Sequence, residues 1–206
     1  MNTAFLQVVE DDKLAQDLSL IIADFEILDF FKHFGSSCFA MSAMLAQILT
    51  AKGHQARVQG CYAEIRQDNA VFYIGYQGYA HEGQTEGHVT CIVADQYIVD
   101  FGLGTLRKFY APDFSPALVC PLSGNTDYAG HLPLSNGADM YWRTDWVSPM
   151  VEAELQSQIP TVQNILAVYD DFQRNRVAYL VKKLFADKAS VVSADMPLVV
   201  RHPEAA

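Results

Sequence analysis

Gly87-His88-Val89-Thr90-Cys91-Ile92-Val93-Ala94-Asp95-Gln96-Tyr97-Ile98-Val99-Asp100-Phe101-Gly102 is the stretch whose pattern decides the fold. Two runs rich in β-branched residues, His88–Val93 and residues 97–101, flank a polar turn at Asp95-Gln96, which predicts a pair of antiparallel strands. Upstream, residues 56–65 alternate and residues 70–76 are aromatic and β-rich, with Gln67-Asp68-Asn69 between them as turn chemistry. Further upstream the period changes. Leu14, Leu18, Ile21, Ile22, Phe25, Leu28 and Phe31 recur near the helical period and predict a helix over 12–31. Gly35-Ser36-Ser37 then offers a serine cap to a second helix with the apolar stripe Cys38, Met41, Leu45, Ile48 and Leu49, and Gly53 stops it. Downstream, residues 121–136 read as a long loop rich in Gly, Pro, Ser and Asn, and residues 161–186 as a third helix. The order α-α-β-β-β-β-α is an α+β arrangement, helices layered on a mostly antiparallel sheet.

Composition narrows the function classes. The chain has 206 residues and 22.9 kDa, half of them apolar and 18% charged, enough for one packed domain over 1–206. Its 14 Lys and Arg stand against 24 Asp and Glu, a formal charge of −10, which repels phosphate backbones and anionic lipid. No nucleic-acid or membrane partner is expected. The opening residues lack a basic segment and turn acidic after nine positions, unlike a secretory leader. Asp24, Glu26 and Asp29 interrupt the apolar run from Leu18 to Phe31, so it cannot span a bilayer. The expectation is a soluble cytoplasmic protein. Cys38, Cys61, Cys91 and Cys120 form no C-x-x-C and are expected as reduced thiols.

The chemistry is expected around Cys38. A thiol in the first turn of a helix faces unpaired amides and the positive end of the helix dipole, which favour its nucleophilic form; a buried Cys on an apolar stripe is the structural alternative. A nucleophilic thiol needs a base, and the base an orienting group. His88 opens one strand and Asp100 closes the next, and an acid between Val99 and Phe101 calls for a partner. Taken separately, His88 is also explained as a strand-end histidine, and Asp100 as an acceptor of backbone amides from Gly102-Leu103-Gly104. Register discriminates. A two-residue turn at Asp95-Gln96 sets Cys91 opposite Asp100 and puts His88 on the other face; a three-residue loop, Ala94-Asp95-Gln96, sets Thr90 opposite Asp100 and leaves His88 diagonal on the same face.

The order Cys, His, Asp, with Cys38 opening a helix of the form C-x-x-x-S-x-x-L-x-x-I-L-x-x-x-G, followed by Ala56-Arg57-Val58-Gln59-Gly60, a Gly-His strand and an Asp-Phe-Gly strand, resembles the transglutaminase-like core of the papain-like cysteine enzymes. The resemblance covers residues 35 to 104, and Val99-Asp100-Phe101-Gly102-Leu103-Gly104 is similar to the aspartate region of arylamine N-acetyltransferases. Those acetyltransferases usually carry Arg-Gly-Gly before the Cys, where this chain has Phe34-Gly35-Ser36-Ser37. The resemblance implies a papain-like fold with the nucleophile on a central helix against an antiparallel sheet. It also implies a catalytic triad of Cys38 as nucleophile, His88 as base and Asp100 as orienting group, acting without cofactor. The implied activity is acyl transfer through a Cys38 thioester, to water as a peptidase or amidase, or to an amine as a transglutaminase or acyltransferase. The substrate is then a small-molecule, peptide or protein acyl compound. A second reading keeps the fold as a non-catalytic module that binds a peptide or ligand.

Around this core, Ser37, Gly87, Tyr141 and Trp142 are the candidates for the substrate cleft, with Arg143, Trp146 and the 121–136 loop beside them, because the resembling core ends near Gly104. Gly87 is expected to let its strand approach the Cys38 helix. His33 is an alternative base or a surface histidine. His81, His88 and Cys91 have no zinc-site spacing, and no metal is expected. Residues 121–190, the loop and helical segment, complete the single domain.

Overall fold

The computed structural model describes residues 8–80, 85–111 and 113–183. Contacts divide the chain into two units, residues 1–165 and 166–206. The first holds an α+β arrangement of N-terminal helices and an antiparallel sheet curled into a nearly closed barrel.

Helix α1, Asp12–Ile27, starts where the Asp11 carboxylate accepts the Leu14 amide, and buries Leu14, Leu18, Ile21, Ile22 and Phe25. The expected helix over 12–31 is divided. Asp29 adopts a left-handed conformation, φ 56°, so Phe30–His33 forms a separate turn, α2, whose Phe30 and Phe31 rings pack on Phe25. Helix α3, Cys38–Ala51, is capped by Ser37, whose hydroxyl accepts the Ala40 amide, and ends before Gly53 at φ 89°. Its apolar stripe is wider than the sequence pattern suggests, because ten of its fourteen residues are buried, as befits a helix enclosed on several sides. Ser42 Oγ donates to the Val89 carbonyl and ties α3 to the sheet.

The sheet is built on β1, Ala56–Gln67. Its first half pairs with β3, His88–Val93, and its second half with β2, Ala70–Ile74, on one edge and with β7, Asp139–Arg143, on the other. The path β5-β4-β3-β1-β7-β6 adds β4, Tyr97–Asp100, β5, Leu118–Pro121, and β6, Gly130–Pro133. All pairings are antiparallel. The two end strands approach each other where Cys120 Sγ donates to the His131 carbonyl at 3.2 Å. Alternation sends Ala63, Ile65, Ile92, Ile98, Leu118, Met140 and Trp142 into one interior cluster. The sequence pattern indicated β1 to β4. Strands β5, β6 and β7 and the one-turn helix α4, Gly104–Phe109, are additions, and β6 lies within the stretch expected as loop.

Helix α5, Val151–Arg174, begins ten residues before the expected 161 and carries Pro160 in its interior. Residues 176–183 continue helically after a turn at Asn175, and Tyr179 donates to Asp171. The end of the expected helix, 184–186, lies outside the described residues, as does His81. No described helix is long and apolar enough to cross a membrane.

Candidate active site

The β3–β4 turn settles the face on which the acid and base meet. Ala94 and Asp95 both take left-handed conformations, φ 54° and 50°, and Gln96 donates to the Val93 carbonyl, so Val93 pairs with Tyr97 and Cys91 with Val99. Continuing the ladder sets Thr90 across from Asp100, the register of the three-residue loop. His88 and Asp100 therefore share a face, and His88 Nε2 stands 2.7 Å from Asp100 Oδ2 with both side chains fully buried.

Asp100 accepts two further hydrogen bonds. Trp142 Nε1 donates to Oδ2 at 2.8 Å and the Gly102 amide to Oδ1 at 2.9 Å. A carboxylate only accepts, so His88 is the donor at Nε2, and a neutral imidazole then keeps its lone pair on Nδ1. Nδ1 is buried and has no hydrogen-bond partner among the described residues. Burial opposes the charged ring, but the Asp100 carboxylate and the neighbouring Cys38 sulfur outweigh it and hold the His88 pKa well above its ordinary 6.5.

Cys38 is the first residue of α3, so its backbone amide is among those without an intrahelical acceptor. Gly102 brings this helix end to the sheet: a Cβ there would lie 2.5 Å from Cys38 Cβ and 3.3 Å from His88 Cε1. The close approach expected of Gly87 is thus made by Gly102. Gly87, at φ 112°, instead lets the chain pass Ser148 and Val151, which a Cβ would meet at 3.0 and 3.1 Å. Cys38, Phe39, Val89 and Val151 form one buried cluster beneath the site. The other three thiols lie within strands. Burial pushes Cys61, which pairs across the sheet with His88, up to about 12 despite the histidine; it pushes Cys91 to about 12 and Cys120 to about 11.

A pocket of about 330 Å³ opens over Cys38 and His88. Ser37, Gly87 and His33 are among the residues that line it. Tyr141 and Trp142 do not. Tyr141 stacks on His131 at 4.6 Å, and Trp142, 1% exposed, stands in the barrel interior and reaches Asp100 from within. No residue of the 121–136 loop lines the pocket; Tyr79, Thr105, Glu154 and Gln158 do, from β2–β3, α4 and α5. Trp146 packs on Tyr62 and Tyr76, in a row of rings that includes Tyr73 and Tyr79. The sequence signal for Trp142 was the alternation Met140, Trp142 inside β7, which marks a buried face but not its hydrogen bond. Among the described residues, no group of three or more His, Cys, Asp or Glu side chains is arranged to hold a metal ion.

The chain matches no family model, no curated protein and no solved structure.

Proposed function

We propose that this protein is a cysteine-dependent acyl transferase or hydrolase that works through a thioester on Cys38. The observation that carries the reading is the state of His88: Nε2 is committed to Asp100, which accepts two further hydrogen bonds, while Nδ1 is unpartnered in a pocket that also holds a thiol at a helix start. In the reaction, Nδ1 takes the Cys38 proton and the sulfur attacks the substrate carbonyl carbon. The Cys38 amide stabilises the oxyanion. The carbonyl bond to the leaving group breaks as that group takes the proton from His88, leaving a thioester. Water or an amine then gives a proton to His88, attacks the thioester and returns Cys38. Asp100 fixes the tautomer and offsets the imidazolium charge, and Trp142 positions Asp100.

The finer fold assignment, a papain-like and transglutaminase-like core, is supported by the same arrangement: a Cys at the start of a central helix, then His and Asp on neighbouring antiparallel strands. A reducing cytoplasm suits four free thiols, one of them a nucleophile. The test is a screen of amide, thioester and arylamine substrates with wild type and Cys38→Ser, together with intact-mass detection of the acyl-enzyme. Wild type alone should turn over substrate and gain the acyl mass on Cys38. Equal residual activity in both proteins rejects the proposal.

A further inference from the structure

None of the sixteen residues that line the pocket is a lysine or an arginine. Basic residues stand nearby in the chain, Lys32 beside His33 and Arg107 and Lys108 in α4 with Thr105, but none of them lines the pocket. Glu154 of α5 lines the same space, half-buried; its carboxylate accepts the Ser157 hydroxyl at 3.4 Å and has no ion-pair partner among the described residues. Tyr79, 54% exposed, adds a ring to the wall and is held by Tyr73 at 4.7 Å between centroids and Tyr76 at 6.0 Å. A carboxylate without an ion-pair partner and an aromatic face both attract a cation, and the pocket lining offers no Lys or Arg side chain to pair with a phosphate or carboxylate.

We infer that the pocket takes a substrate whose recognised group is a cationic nitrogen, an ammonium or guanidinium, with Glu154 as its counter-charge. The inference rests on the acyl-transfer reading and refines it. Acyl donors or acceptors that are neutral or cationic near the reacting bond enter; donors carried on a polyphosphate, as in nucleotide-linked thioesters, are repelled. Glu154 is a specificity residue of the site, and the protein's overall charge of −10 draws the same ligands toward it.

The test uses charged thiol reagents, which need no knowledge of the substrate. Trimethylammonioethyl, methyl and sulfonatoethyl methanethiosulfonate present a cation, a neutral group and an anion; in each the Cys38 sulfur forms a disulfide and methanesulfinate leaves. Rates at Cys38 are read by peptide mapping. The cation-to-anion rate ratio in wild type is expected to exceed that of Glu154→Gln by roughly fivefold or more, about fivefold being the bulk-water value for a single charge pair about 4 Å apart. Glu154→Lys should lower it further. Glu152→Gln removes an exposed charge from the same helix outside the pocket and should change the ratio by less than about twofold. Equal effects of the two glutamate variants, or none, overturn the inference. The two proposals fail separately: a sluggish Cys38 that still follows Glu154 sinks acyl transfer and keeps the cation site, and a fast Cys38 indifferent to Glu154 does the reverse. Protection of Cys38 from iodoacetamide then separates the sources. Protection by 1,5-diaminopentane assigns a free amine, and protection by a lysyl peptide amide alone assigns a side chain on a peptide. Stronger protection by the matching glutamyl peptide contradicts the inference.

Discussion

The barrel contains two histidine–aspartate pairs of the same length and unlike consequence. His88–Asp100 and His131–Asp139 are both 2.7 Å apart. The first pair is fully buried, its acid accepts two further hydrogen bonds, and a thiol stands beside the ring. The second lies on the outer surface of β6 and β7, its side chains 35% and 43% exposed, with His131 stacked on Tyr141. Distance is the same, so it does not set the two pairs apart. Removal from water strengthens the coupling of base and acid, whereas solvent screens the outer pair to a small net value.

The comparison is broken most severely at His88. His88→Ala removes the proposed base and leaves Asp100 buried without its main partner, so turnover should be lost and stability should fall by about 3–5 kcal/mol in chemical denaturation. Cys38→Ser should abolish turnover equally while moving the melting temperature little, since it changes one atom at a pocket wall. Asp100→Asn is next. In serine proteases the equivalent change costs about 10⁴ in turnover through the wrong imidazole tautomer, and a loss of that order is expected here. Trp142→Phe keeps the ring in the core but removes the donor to Asp100 Oδ2, at a cost of about 1–3 kcal/mol. Activity should fall roughly tenfold with its alkaline limb displaced, a readout that a packing defect alone would not move. His131→Ala closes the series with less than about 1 kcal/mol and unchanged activity.

Much of this architecture was legible in the sequence, and the gaps have physical causes. β3 and β4 are continuous β-branched runs ended by a polar turn, and α3 carries its own cap and stop, so their positions follow from local chemistry. The face shared by His88 and Asp100 was not decidable, because it depends on Ala94 entering the left-handed region, which alanine does only at a cost. β6 begins with Gly130 and ends with Pro133, a composition that reads as loop, and exists as strand because β7 supplies its hydrogen bonds. Trp142 and Tyr141 were grouped together as cleft residues; neighbours on a strand point to opposite faces, so one became Asp100's support and the other a surface ring. Glu154 and Tyr79 come from segments distant in sequence from Cys38, and only tertiary structure brings them to it.

The pH dependence of Cys38 alkylation in wild type and Asp100→Asn tests the central claim most directly. His88 binds its proton more tightly in the folded protein than its ordinary 6.5, so the protonated pair contributes fully below that value. Its contribution is lost only as pH rises through the raised value. With iodoacetamide, wild type should label at Cys38 alone, and the reactivity linked to the protonated imidazole should persist well above pH 6.5 before changing. In Asp100→Asn that transition should move toward lower pH and the neutral-pH rate should fall. Labelling of Cys38 no faster than the thiols of the unfolded chain, or a pH profile identical in the two proteins, contradicts the account.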